Sequence, residues 1–261
     1  MLRGKDCTMS WDSKMFAAGN SSTSSLNNGL IGNSAFNRTM ADYNPDTDGQ
    51  LMSRNRYNLI MGACLLWGFL VNAVICVLFG KQIEALVNDS NGVAAIVIIL
   101  GYLVLAFAGM FICHKSSNPV ISFVGYNMVV LPLGVMLSSI LTRYPVMTIS
   151  YAFGVTAIVT AVMIVASTAK PEFFAKLGHG LFVSLIAAII AEVVCAFLFP
   201  GVLGVFDWVV AIIFCGYIGF DWVRSQNLPP TLDNAVDCAC ALYVDIINLF
   251  IRILEIMGKK R

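Results

Sequence analysis

Six apolar blocks, each about as long as a bilayer core is thick, dominate the sequence after Tyr57: residues 57–80, 93–113, 119–140, 145–167, 178–199 and 204–224. A helix rises about 1.5 Å per residue, so roughly 20 apolar residues cross a hydrocarbon layer of about 30 Å. Backbone amides in lipid must be satisfied internally, which leaves helices or closed barrels, and these lengths suit helices. A seventh block, 233–257, is apolar but carries Asp237, Asp245, Asn248, Arg252 and Glu255. The expected fold is therefore all-α: a polytopic membrane protein built as a seven-helix bundle over residues 55–258.

Composition agrees. Hydrophobic residues make up 58% of the chain and charged ones 12%, where soluble domains carry about 25% charged residues. The surplus apolar surface implies that lipid is the solvent. A net charge of +1 gives no basic face for phosphates, so nucleic acid is not an expected partner. Five of the eight cysteines fall in apolar blocks, where thiols act as small hydrophobes, and Cys238-x-Cys240 has no second pair to complete a zinc site. Residues 1–54 differ: Gly19–Asn37 is rich in Ser, Asn and Gly, and the segment is expected to be a disordered, polar, cytoplasmic tail.

Lys and Arg placement orients the bundle. Arg54, Arg56, Lys115, Lys170, Lys176 and Arg224 fall on one side, whereas only Lys81 and Arg143 fall in the opposite loops. The amino terminus is expected to be cytoplasmic. The terminal Lys259, Lys260 and Arg261 fit that rule only if the last segment is re-entrant, and charge counting leaves this open.

Ionisable groups inside membrane helices are costly and mark function by default. Asp221 and Asp245 lie on the sixth and seventh segments, 24 residues apart and equidistant from Asp233 near the Pro229-Pro230 turn. An antiparallel hairpin would bring them to similar depth. Asp237, Ala241, Asp245, Asn248, Arg252 and Glu255 recur at three- and four-residue steps and draw a polar stripe down the last segment. Such a stripe suits a wet interior better than a surface helix, since apolar residues flank it on nearly all sides. Two plainer readings stand beside this one: Arg224, at i+3, pairs with Asp221 at a helix end, and Glu192, following Ser184 and Ala188 on a small-residue face, hydrogen-bonds a neighbour as a neutral acid.

The runs Gly216-Tyr217-Ile218-Gly219-Phe220-Asp221-Trp222 and Ala241-Leu242-Tyr243-Val244-Asp245-Ile246-Ile247-Asn248-Leu249-Phe250, with Tyr151-Ala152-Phe153-Gly154-Val155-Thr156, resemble the Bax inhibitor-1 family, nearest its prokaryotic branch. The similarity covers residues 56–257. It implies a bundle whose C-terminal helix is central, and a pH-sensitive calcium leak channel whose sensor aspartates match Asp221 and Asp245. Two departures stand out. Trp222-Val223 replaces the Thr-Gln that often follows the first aspartate, and the arginine that some members place near the end of the second helix is not assigned, that region offering His114 and Lys115.

The physics is compatible with that implication. Two carboxylates in a dry site cannot both ionise cheaply, so one shared proton persists toward neutral pH and the pair titrates as a unit. Calcium, preferring six to eight oxygens, would bind two carboxylates only transiently, as permeation needs. The expectation is a non-enzymatic channel without a tightly bound cofactor, with calcium as permeant ion and Asn248, Arg224, Arg252 and Glu192 as supporting residues. A bacterial plasma membrane fits the branch, with an endoplasmic reticulum membrane left open. The rivals are a non-conducting regulator that binds another membrane protein such as a membrane protease, an intramembrane aspartyl protease (for which Leu242-Tyr243-Val244-Asp245 lacks the usual Gly-x-Gly-Asp), and a secondary transporter, for which no inverted repeat is visible.

Overall fold

A computed structural model describes residues 43–44, 49–89, 93–198 and 203–258. The proposed tail up to Gly19–Asn37 and the basic cluster Lys259–Arg261 lie outside the described residues. Among the described residues the regular structure is helical throughout: α1 Arg54–Asp89, α2 Val93–Lys115, α3 Pro119–Leu141, α4 Val146–Ala169, α5 Pro171–Ala175, α6 Gly178–Leu198, α7 Leu203–Asn227 and α8 Leu232–Gly258. Punctuation residues set several boundaries. Asn118 caps α3, its Oδ1 accepting from the Val120 amide at 3.0 Å, and Pro119 occupies the first turn, where its missing N–H costs nothing. Pro145 and Pro171 likewise open α4 and α5, and α7 ends just ahead of Pro229-Pro230.

Among the described residues five helices, α1, α3, α4, α6 and α7, are long and apolar enough to cross a membrane. The protein is therefore an integral, multi-pass membrane protein. α2 carries the apolar block 93–113 of the sequence. Two elements depart from the sequence expectation. α1 does not stop at residue 80 but runs 36 residues, about 54 Å, because Lys81-Gln82-Ile83-Glu84-Ala85-Leu86 are good helix formers with no Gly or Pro among them. The stretch between Lys170 and Lys176, expected as loop, holds the short α5, whose Phe174 is buried.

Large apolar side chains point outward from the peripheral helices: Val77 is 83% exposed and Phe197 84%, which is tolerable only in lipid. α8 is the opposite. Of its 27 residues only Leu232 is exposed, and it packs against α1, α2, α3, α4 and α7. α2 and α3 approach most closely where Gly109 faces Gly125; a Cβ on Gly109 would lie 2.5 Å from the Gly125 carbonyl oxygen. Small residues let helices pack in this way inside a membrane.

Side-chain contacts sort the two ends of the bundle. At one end Arg54 donates to the carbonyls of Ser225 (3.4 Å) and Leu228 (2.8 Å), Trp222 donates to Thr168 Oγ1 at 2.9 Å, and Ser122 donates to Asp233. The end that gathers Arg54 and Arg224 thus also receives the junctions carrying Lys115 and Lys170. At the other end the Tyr144 ring packs on Gly258. α8 is one continuous helix between those ends, about 40 Å long.

Candidate functional site

The α7–α8 hairpin positions the two aspartates. Its turn is short and well satisfied: the Thr231 amide donates to Pro229 O at 2.8 Å, and Asn234 Nδ2 donates to the same oxygen at 2.8 Å. The Pro229 carbonyl is thereby met by one backbone amide and one side chain. The strand of chain entering α1 clasps the turn as well, with the Met52 amide donating to Pro230 O at 2.9 Å.

Inside the bundle, Asp221 of α7 and Asp245 of α8 are brought together. Both are buried, at 9% and 6% exposure, and their carboxyl groups lie within hydrogen-bonding reach of each other. Tyr217, one turn earlier on α7, is near enough to feel both charges. Arg224 Nη1 stands 3.9 Å from Asp221 Oδ1. The ion pair at i+3 and the aspartate pair are therefore not alternatives; Asp221 takes part in both. Asp245 Oδ2 is buried with no hydrogen-bond partner. A buried acceptor left in that state is costly, and a proton there would relieve it. Two facing carboxylates at low dielectric hold one proton between them more readily than two negative charges.

The supporting residues separate. Asn248 Nδ2 turns back to Val244 O on its own helix, at 2.8 Å, and does not join the pair. Arg252 lies seven residues beyond Asp245, about 10 Å along α8. It makes a two-pronged ion pair with Glu192 of α6, both contacts at 2.9 Å, and reaches Asp207 of α7 at 3.0 Å and Glu255 at 3.2 Å. Glu192 is thus an ionic partner of Arg252, not a neutral acid on a small-residue face: the guanidinium fork matches a carboxylate in that geometry. Along α8 the stripe residues Asp237, Ala241, Asn248, Arg252 and Glu255 are all half-buried, whereas Asp245 is buried. The polar face is sealed off most completely where the aspartates meet.

Three polar groups central to this arrangement escaped sequence reading. Asp207, 3% exposed, sits near the start of α7 and completes the Arg252 cluster; its signal was an acid inside an otherwise apolar block. Asp233 accepts from Ser122 Oγ at 2.6 Å, and Asp237 shares that serine, so the first turns of α8 are bonded to α3. Asn72 of α1 donates to the Tyr243 hydroxyl, and the Tyr243 ring meets Tyr126 edge-on at 5.5 Å. Nothing in the local pattern around Asn72 announced that pairing. A separate cavity of about 630 Å³ opens among α1, α3, α4 and α8, walled by Leu65, Phe69, Thr156, Thr160, Ile246 and Phe250. It is almost wholly apolar. Among the described residues no group of three or more His, Cys, Asp or Glu side chains is placed to hold a metal ion, and the side chain of His114 lies outside the description.

Comparison with known proteins follows from this geometry. The model of the family described as "Inhibitor of apoptosis-promoting Bax1" matches residues 49–261. An uncharacterized protein of Helicobacter pylori is 35% identical over 109 residues, covering 41% of this chain and 46% of that protein, so the match spans about half the length of that relative. A BI1-like protein of Arabidopsis thaliana is 29% identical over 76% of this chain and 77% of its own length. The inner membrane protein YbhL of Escherichia coli is 28% identical over 49% of this chain and 59% of its own length.

Proposed function

The chain belongs to the Bax inhibitor-1 family, and from that premise we propose that it is a pH-sensitive, calcium-permeable leak channel gated by the Asp221–Asp245 pair. The single observation that supports this most is the meeting of two buried carboxyls from α7 and α8, at the most occluded point of a polar stripe. With one proton shared, the two helices are held together at that point. When the proton leaves, two negative charges repel across a dry contact and drive α7 and α8 apart. A cation arriving on the stripe then finds carboxylate oxygens, too few for tight calcium binding and enough for passage.

In this reading α1–α4 and α6–α8 are the seven crossing helices, and α8 is the axis around which the others stand. In the same reading the end carrying Arg54, Lys115, Lys170 and Arg224 is the cytoplasmic one, and the amino terminus lies on that side. A bacterial plasma membrane is the proposed site, in keeping with the relative named as an inner membrane protein. Transport needs no bound cofactor and no catalysis, and calcium is the permeant ion.

One observation favours a second reading, a non-conducting regulator that binds another membrane protein such as a membrane protease. Arg252 and its three carboxylates span α6, α7 and α8 across the far part of the stripe. Calcium flux from proteoliposomes, measured across pH, separates the two. Flux that varies with pH in the wild type and loses that variation in D245N supports the channel; silent vesicles with a co-purifying membrane partner support the regulator.

A further inference from the structure

Beyond Asp245 the next charged side chain along the α8 stripe is Arg252, because Asn248 donates its amide to its own helix, at Val244 O. Nη1 of Arg252 donates to three carboxylates, one from each of three helices: Glu192 Oε1 of α6 at 2.9 Å, Asp207 Oδ1 of α7 at 3.0 Å and Glu255 Oε2 of α8 at 3.2 Å. Nη2 adds Glu192 Oε2 at 2.9 Å. A single nitrogen thus stands where three carboxylates converge. Asp207 is buried, and the other three side chains are half-buried. α6 packs on α7, and Arg252 carries α8 across to it.

Charge decides what such a cluster can do. One carboxylate is enough for a staple between two helices; two more on the same nitrogen add repulsion among themselves. Three carboxylates and one guanidinium leave a formal excess of two negative charges, so the spot attracts cations, and the guanidinium is the cation already in it. Arginine stays ionised at any pH a cell meets, and its fork grips Glu192 at two points. On a route for cations, a positive charge fixed in this way is a barrier.

We propose that Arg252 is a second closure of the path, a tethered cation that fills the space between Glu192, Asp207 and Glu255 and that a permeating cation has to push aside. This rests on the channel reading above, in which the polar stripe of α8 lines the route. The two closures lie in series, about 10 Å apart along α8, and differ in kind. The aspartate pair answers to protons; Arg252 keeps its charge and sets the rate at every pH.

The test uses the full chain carrying R252C in liposomes. Calcium flux is read before and after a positively charged methanethiosulfonate, and separately with a negatively charged one of similar size. Wild type with its own cysteines receives the same reagents as the control. R252C is expected to leak severalfold faster than wild type with the pH midpoint unchanged. The positive reagent restores a tethered cation on the folded protein and returns the rate toward wild type; the negative one does not. Equal slowing by both reagents overturns the role of charge, and an introduced thiol that protein mass shows unmodified overturns its place on a wet route. Thermal unfolding is measured alongside: a lowered unfolding temperature with unchanged flux leaves only a staple and overturns the closure. R252K keeps the charge, loses the two-pronged grip and is expected to leak by a smaller factor, so it serves if R252C does not reconstitute; wild-type flux from R252K then overturns the closure. Vesicles silent for wild type and variants alike overturn the channel reading and the closure with it, whereas wild-type flux that D245N alters and R252C does not overturns the closure alone.

Discussion

Asp245 of α8 and Asp221 of α7 stand carboxyl to carboxyl inside the bundle, with Arg224 3.9 Å from the far member of the pair. Asp221 thus takes part in a carboxyl–carboxyl contact and an ion pair at the same time.

Substituting either aspartate by asparagine removes the ionisation and keeps the shape. D245N and D221N are each expected to flatten the pH dependence of calcium flux, with the wild-type response reduced by about tenfold, equivalent to roughly 1.4 kcal/mol of lost coupling. Fluorescent-dye flux from proteoliposomes between mildly acidic and mildly basic pH measures it.

Arg224 should tune the midpoint of that response without abolishing it. R224Q removes the cation that favours ionised Asp221, so the pair keeps its proton to higher pH. The expected result is a midpoint moved upward by about one pH unit, with the amplitude preserved; a midpoint that stays put refutes the role.

The Arg252 cluster should matter for stability more than for pH response. Truncating Arg252 to alanine leaves Glu192, Asp207 and Glu255 facing one another, a loss of about 1–3 kcal/mol, below the cost of breaking a fully buried ion pair because Arg252, Glu192 and Glu255 are half-buried. E192Q, which leaves two carboxylates on the arginine, is expected to cost less than half as much. Thermal unfolding in detergent compares them.

Close helix approach gives a further expectation. G109L places side-chain atoms where the α3 backbone already stands, 2.5 Å from the first added carbon, and is expected to destabilise by about 1–3 kcal/mol. G101L on the same helix, with open space around it, is the matched control and should be nearly neutral.

Much of this architecture was legible along the chain. Block lengths fixed where helices run, and the Pro229-Pro230 turn with equal arms to Asp221 and Asp245 announced a hairpin bringing two acids level. The length of α1 was not legible, because Lys81 and Glu84 read as loop in a hydropathy pattern while remaining good helix formers. Nor was the partner of Glu192: its neighbours Ser184 and Ala188 describe its own face of α6, whereas Arg252 arrives from a helix 60 residues away, and only rotation about two helix axes decides that they meet. Asp207, Asp233 and Asn72 were missed for the same reason. Asp207 and Asn72 are each one polar residue among apolar ones, Asp233 sits with Thr231 and Asn234 beside a turn, and the meaning of all three lies in what the fold sets opposite them.

Met52 and Arg54 grip the α7–α8 turn through its own carbonyls, at Pro230, Ser225 and Leu228. The first crossing helix is therefore anchored to the last two before it enters the bundle. The segment just ahead of α1 and the turn that joins the two aspartate-bearing helices are fastened to each other through three backbone carbonyls, so loosening either end of that clasp loosens the other.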